Sequence, residues 1–343
     1  MNNYTIDFIF KITKGTLLRV AHNQPVLHLL IDSRKLTQTS NTLFFAIKGA
    51  RQNGHLYIQN LYDKGVRNFI VEEELDLLKF PLANFIKVKN SIEALQQITA
   101  FHRHQYNIPI IGVTGSNGKT VVKEWLYQLL ENDFKIVRSP KSYNSQIGVP
   151  LSVWQINSTH QLGIFEAGIS QPYEMQNLEK IIKPTVGIFT NIGEAHSEGF
   201  LNVRQKINEK LQLFAFANHI IYCKDYDELH HAAVNFKSKI ANDGDTDRFN
   251  LFSWSFKNEA DLKINEIVSE GMKTTIHATF NANEIFIVIP FSDKASIENA
   301  IHCWAYMLLN NYDNAIIQQR MIHLTNIGMR LELKEANNNC SLI

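Results

Sequence analysis

The chain has 343 residues, of which 45% are hydrophobic and 20% charged, and its 34 Lys and Arg against 33 Asp and Glu leave a formal charge of +1. That composition suits a folded protein with room for two or three domains and excludes disorder, while the balanced charge excludes the basic runs that DNA, RNA or an anionic membrane would require. Cys223, Cys303 and Cys340 lie far apart without a CxxC pair, which argues against a disulfide framework and a structural zinc site and points to a reducing cytoplasm. No run reaches membrane-spanning length, and Asp7 and Lys11 interrupt the opening MNNYTIDFIFKITKG before it can serve as a signal peptide.

The first hundred residues mix short apolar strands, TLFFAIKG and NFIVEEE, with the amphipathic helix HLYIQNLYDKG ending at Gly65, and read as a small α/β domain over 1–107. A second helix, from about Ile92 to Tyr106, precedes Pro109, where a new strand and a new domain begin. Its His102 and His104, and the later pair His230 and His231, lack companion ligands and read as solvated helix positions.

From Ile110 to about Cys223 the strands IPIIGVT, FKIVRS, QLGIFEAG, TVGIFTN and HIIYC alternate with helices. Continuous apolar strands in this alternation predict a doubly wound, mainly parallel sheet. Alternating strands after Phe249 (DLKINEIVS, MKTTIHATF, EIFIVIP) and the helix KASIENAIHCWAYMLLN predict a β-rich completion of the same domain, 108–325. The final RLELKEANNNCSLI reads as a strand, a polar turn at Asn337–Asn339 and an unfinished, unpaired strand. Residues 326–343 are therefore expected to begin a third domain that is cut short.

The motif GVTGSNGKT joins a strand to a helix that starts near Thr120. Free amides and the positive end of a helix dipole would converge there on an anion, with Lys119 reaching terminal phosphates and the Thr120 hydroxyl on magnesium. The general pattern wants glycine where Val113 stands, and no DxxG or NKxD element accompanies the loop, so it belongs to neither the GTPases nor the usual ATPases. Glu166, Asn191 and His196 close neighbouring strands at the same carboxyl edge, where a carboxylate can complete a magnesium shell.

GVTGSNGKT, NSQIGVPLSV, FEAGIS, FTNIGEAHSEGF and Lys210 resemble, in order and spacing, the Mur ligases of peptidoglycan synthesis. In that family the early glycine of the loop is displaced, as Gly112 is here. The segment DSRKLTQTSNTLFFAIKGARQNGH is similar to a uridine-nucleotide-binding domain, that of the member joining D-alanyl-D-alanine to UDP-N-acetylmuramoyl-tripeptide. The resemblance implies ATP held by Gly115, Ser116, Asn117, Gly118, Lys119 and Thr120, with Asn299 near adenine and Arg330 at the hinge to the third domain. It implies two magnesium ions on Thr120, Glu166 and His196, with a carbamylated Lys210 helping to hold them. The resemblance further implies that Ser33, Arg34, Lys48 and His55 lie at the uridine diphosphate end of the substrate and that Asn144, in the motif near the loop, faces substrate. Read by itself, Lys210 is a solvated helix lysine.

The sequence departs from the family pattern at Glu-Ala-Gly-Ile, at Leu211 and Gln212, at Ala295 and Ser296, and at Ser145; none of these departures removes an assigned metal ligand. The implied chemistry is cytoplasmic amide formation in cell-wall biogenesis, through an acyl phosphate, by a monomer. Two other readings stay open. One is a nucleotide-binding module without turnover, the expected state of this chain if its third domain is absent; the other is a sibling of the folylpolyglutamate type. Because NNNCSLI is similar to fusions with an alanine racemase, pyridoxal phosphate would enter only if such a domain followed.

Overall fold

The computed structural model describes residues 4–49, 52–193, 199–242, 249–327, 334–336 and 340–342. The described chain divides into two compact units: 1–107 with 143–158 and 180–182, and 108–142 with 159–179 and 183–343. Among the described residues no helix is long and apolar enough to cross a membrane.

The first unit is built on a five-stranded sheet in the order Thr16–Arg19, Asn84–Lys87, Asn68–Val71, Thr42–Phe45, His28–Leu30, with the first pair antiparallel and the rest parallel. Side chains alternate across a strand. Leu43, Phe45, Ile70 and Ile86 therefore enter one buried cluster, while Phe44, Phe69, Val71 and Phe85 enter another on the opposite face. Both faces are covered, which is why these strands read as unbroken apolar runs. The expected helix over HLYIQNLYDKG is a 3-10 turn, Gly54–Tyr57, followed by a helix Ile58–Asp63, and the chain leaves it through Gly65 at φ +103°. The helix Ser91–His104 starts where the Asn90 side chain accepts from the amides of Ile92 and Glu93.

The assignment of 143–158 to this unit departs from the boundary expected at Pro109, and His102 explains it. This histidine is buried rather than solvated. Its Nδ1 accepts from the Tyr4 hydroxyl (2.8 Å), its Nε2 donates to the Ile156 carbonyl (2.9 Å), and its ring lies 4.6 Å from that of Trp154. The neighbouring Arg103, also buried, ties in Ile182 through its Nε (3.0 Å). His104 is exposed, as expected, and His230 bonds to the Tyr222 hydroxyl.

The second unit carries a nine-stranded sheet. Seven strands run parallel in the order Ile136–Arg138, Leu162–Glu166, Ile110–Thr114, Val186–Phe189, His219–Cys223, Asn250–Ser255, Leu262–Glu270; Lys273–Phe280 and Asn283–Ile289 then continue it antiparallel. The β-rich segment thus completes the central sheet. The chain leaves Ile110–Thr114 toward the edge strand on one side and later crosses to Val186–Phe189 on the other, so a crevice opens at the carboxyl end of this strand. The helices Lys119–Leu130 and Lys294–Leu309 share a core with Ile111 and Val113, through Trp125, Leu126, Leu129, Ile301 and Trp304. The last two strands, Lys334–Ala336 and Cys340–Leu342, pair antiparallel with each other. The expectation of an unpaired terminal strand is therefore corrected.

Candidate nucleotide site

The strand Ile110–Thr114 is buried throughout, so Val113, the residue that breaks the general motif, is a core side chain. Gly112 is also within the strand: a Cβ there would lie 2.9 Å from Pro184 and 3.6 Å from Leu213, so this glycine serves packing on the opposite sheet face. The loop itself opens at Gly115, with φ +143°, and closes at Gly118, with φ +81°. A Cβ would stand 2.0 Å from Thr190 Oγ1 at the first and 2.2 Å from Asn299 Oδ1 at the second. Only glycine satisfies both the backbone angle and the close approach.

The loop is braced from the neighbouring strand end. Asn191 accepts the Ser116 amide on its carbonyl (2.9 Å) and the Asn117 amide on its side-chain oxygen (2.9 Å). The Ser116 hydroxyl meets the Gly193 amide at 3.0 Å and carbonyl at 3.2 Å, and the Thr190 hydroxyl donates to the Asn117 carbonyl (2.5 Å). The amides of Ser116 and Asn117 thus hold the loop's shape, leaving anion binding to the start of the helix beyond them.

Three ammonium groups converge here. Lys119 Nζ donates to the carbonyls of Gly115 (2.8 Å) and Ser116 (2.9 Å), Lys210 Nζ to the same Gly115 carbonyl (3.1 Å), and Lys206 Nζ to Gly193 (2.6 Å). Lys210 is 3% exposed on the helix Val203–Leu211, which overturns its bland reading as a solvated lysine. Burial, then the charges of Lys119 and Lys206, bring its amine down to about 7. Lys206, missed in the sequence, precedes it by one helical turn and is also buried; the i, i+4 spacing was the available signal.

Glu166 ends the strand Leu162–Glu166 fully buried and accepts the Thr120 hydroxyl at 2.8 Å. Burial pushes its carboxyl up, while Lys123, the Thr120 hydroxyl and Lys119 pull it back. Lys123, on the helix after the loop, is fully buried and donates to the carbonyls of Ser139 (2.7 Å) and Lys141 while pairing with Glu124 (3.1 Å). A buried carboxylate beside a hydroxyl at the mouth of a phosphate loop is a hard-oxygen donor set. It fits magnesium, which takes few protein ligands and completes its shell from phosphate and water.

Asn299, expected near adenine, is 5% exposed and abuts Gly118. His302, three residues on, is buried and was not singled out in the sequence. His196 and Arg330 lie outside the described residues.

The first-unit candidates occupy a different setting. Ser33 and Arg34 lie on the 3-10 turn Ser33–Lys35 and line a cleft of about 490 Å³ together with Asp32, Gly49, Gln52 and Tyr57. Arg34 forms an ion pair with Asp32 (2.8 Å), whose carboxyl falls to about 2 chiefly through that hydrogen bond. Lys48 is paired with Glu73 at 2.9 Å. Both ring nitrogens of His55 are committed: Nδ1 donates to the Asn53 side chain (2.7 Å), and Nε2 accepts the amides of Glu72 (2.9 Å) and Glu73 (3.3 Å). His55 therefore orders the turn that carries Lys48 and Glu73. Asn144 belongs to the same unit, half-buried ahead of the helix Gly148–Val153.

Comparison with known proteins fits this geometry. A family model described as the Mur ligase middle domain matches residues 113–307, and one described as the Mur ligase family catalytic domain matches 26–103. A UDP-N-acetylmuramoyl-tripeptide--D-alanyl-D-alanine ligase of Bacillus subtilis (strain 168) is 29% identical over 99% of this chain and 71% of its own length. Among solved structures, MurF from Acinetobacter baumannii matches with a TM-score of 0.84 at 22% identity, covering 98% of this chain and 72% of that one. MurF ligase from Thermotoga maritima in complex with ADP matches with a TM-score of 0.76 at 20% identity, over 90% and 69% of the two chains. The chain thus spans about seven-tenths of the length of each.

Proposed function

Because the chain belongs to the Mur ligase family, we propose that it performs the ATP-dependent joining of D-alanyl-D-alanine to UDP-N-acetylmuramoyl-tripeptide. The observation that carries this reading is the contact between Thr120 and the buried Glu166 at the mouth of the phosphate loop, with Lys210 held on the carbonyl of Gly115. The name borne by the B. subtilis relative favours this reaction over the folylpolyglutamate alternative.

The γ-phosphoryl group of ATP passes to the tripeptide carboxylate to give an acyl phosphate. The amine of D-alanyl-D-alanine then attacks the acyl carbon, and phosphate leaves. The physical difficulty is bringing a carboxylate up to a polyanion, so positioning and electrostatic stabilisation dominate. Lys119 and the amides at the helix start hold the terminal phosphates, Asn191 and Thr190 fix the loop's shape, and Asn299 supports its last glycine. Thr120 and Glu166, with His196, would hold magnesium, which when bound would neutralise developing phosphoryl charge. Lys210 is carbamylated: its neutral amine attacks carbon dioxide, an N–C bond forms, a proton leaves, and an anionic oxygen pair replaces an ammonium. An amine brought down to about 7 spends half its time neutral at that pH, which favours this reaction. Ser33, Arg34 and Lys48 bind the uridine diphosphate end, His55 orders their turn, Asn144 contacts substrate, and Arg330 contacts ATP.

Calorimetric titration with Mg-ADP and with the uridine substrate, followed by phosphate release with D-alanyl-D-alanine as acceptor, tests the reading. Binding of both ligands is expected from residues 1–343, and the release assay decides whether this length turns over by itself. Failure to bind either ligand, or release that prefers a free amino acid as acceptor, would overturn the assignment.

A further inference from the structure

The helix Lys294–Leu309 meets the phosphate loop twice. Asn299 abuts Gly118, and one turn later His302, 1% exposed, stands behind the other end of the loop. The indole N–H of Trp254 reaches His302 Nδ1 at 3.1 Å, and His302 Nε2 lies 2.7 Å from the Thr190 carbonyl. An indole can only donate, so Nδ1 is an acceptor and the proton sits on Nε2, donating to Thr190. Thr190 passes the constraint on: its amide donates to the Thr114 carbonyl (2.9 Å) and its hydroxyl to the Asn117 carbonyl (2.5 Å). Those two carbonyls bracket Gly115 and Ser116, whose carbonyl oxygens carry Lys119. The next residue, Asn191, accepts the amides of Ser116 and Asn117.

We propose that His302 is a positioning residue of the nucleotide site: through the Thr190 carbonyl it fixes the strand end that shapes the phosphate loop, and so sets affinity for the nucleotide's phosphates. This rests on the nucleotide-site reading above. A residue that merely filled space between Trp254 and Thr190 would be better apolar, because burying an imidazole without using both nitrogens costs free energy. Here both nitrogens are used, and the imidazole is kept neutral by burial, with its pKa down at about 4.

The test compares wild type, His302→Leu, His302→Gln and Trp254→Phe by calorimetric titration with Mg-ADP and, separately, with UDP-N-acetylmuramoyl-tripeptide. Loss of one buried hydrogen bond predicts His302→Leu about tenfold weaker for Mg-ADP with the uridine ligand unchanged. His302→Gln keeps an N–H for Thr190 and is expected within about threefold of wild type, with Trp254→Phe weakened about two- to threefold because Nδ1 loses its donor. Wild-type Mg-ADP affinity in His302→Leu, or an equal loss for both ligands, overturns the proposal while leaving the nucleotide site standing. Absence of Mg-ADP binding in wild type overturns both. If His302→Leu does not fold, Trp254→Phe decides, and wild-type affinity there overturns the proposal.

Discussion

The cations of the two units are held in opposite ways. Around the phosphate loop, Lys119, Lys206 and Lys210 donate to backbone carbonyls, and the last two are buried. In the first-unit cleft and its adjoining turn, Arg34 and Lys48 are exposed and paired with the carboxylates Asp32 and Glu73. A carbonyl fixes an ammonium through its dipole without itself cancelling the charge, and that contact is stronger where burial excludes water. A carboxylate does cancel the charge, in high dielectric, where such pairs contribute little and exchange readily. The cations of the first kind are set by backbone that stays in place; those of the second sit in surface pairs that can change partners.

The largest expected effect breaks the first arrangement. Lys119→Ala is expected to weaken Mg-ADP binding at least about a hundredfold and to abolish ligation, the scale of losing a transition-state charge contact. The melting temperature should hold, because Lys119 is only half-buried and its bonds to the Gly115 and Ser116 carbonyls lie within the loop. Normal turnover by this variant would remove the loop from the mechanism. Lys210→Ala is expected to lose ligation by orders of magnitude and to recover part of it with a short carboxylic acid, whose anion would stand in for the proposed carbamate. Loss without rescue would assign Lys210 a purely structural part.

A smaller effect sharpens the picture of burial. His302 has its pKa lowered to about 4 by burial, against 6.5 when exposed. Between those values the unfolded chain binds a proton that the folded chain refuses, so stability is fully present above pH 6.5 and is lost as pH falls toward 4. At about 1.4 kcal/mol per unit the loss is on the order of 3 kcal/mol. His302→Gln should lack this component, seen as a shallower fall of unfolding free energy across that window. Parallel curves for the two proteins would show that His302 titrates normally.

The strands on which the site stands were legible because parallel sheets are covered on both faces and so leave continuous apolar runs. The loop was legible because Gly115 and Gly118 meet backbone demands that only glycine satisfies. The buried polar residues were not. VRQKINEKL looks solvated: the i, i+4 spacing puts Lys206 and Lys210 on one face, but nothing local says that this face turns inward, which depends on the carbonyls of Gly193 and Gly115. His102 and His302 were opaque for the same reason, since each is satisfied by one carbonyl more than 50 residues away, Ile156 and Thr190. Spacing brought Asn299 and His302 to one helix face, but only the fold supplied what that face meets.

The smallest expected effect tests the exchange argument in the first unit. Glu73→Gln keeps an acceptor for Asn53 Nδ2, now 3.2 Å from the Glu73 carboxylate, but removes the charge that neutralises Lys48. With Lys48 no longer cancelled, the uridine substrate should bind about two- to threefold more tightly at low salt, the range of an exposed pair, and the gain should vanish as salt rises. Arg34→Ala acts in the opposite sense, weakening the same ligand about tenfold through one lost charge-assisted contact. Both variants should melt with wild type, since the side chains of Arg34 and Glu73 are open to solvent. Tighter binding that persists at high salt would mean that Glu73 shapes the turn through Asn53 rather than competing for the cation.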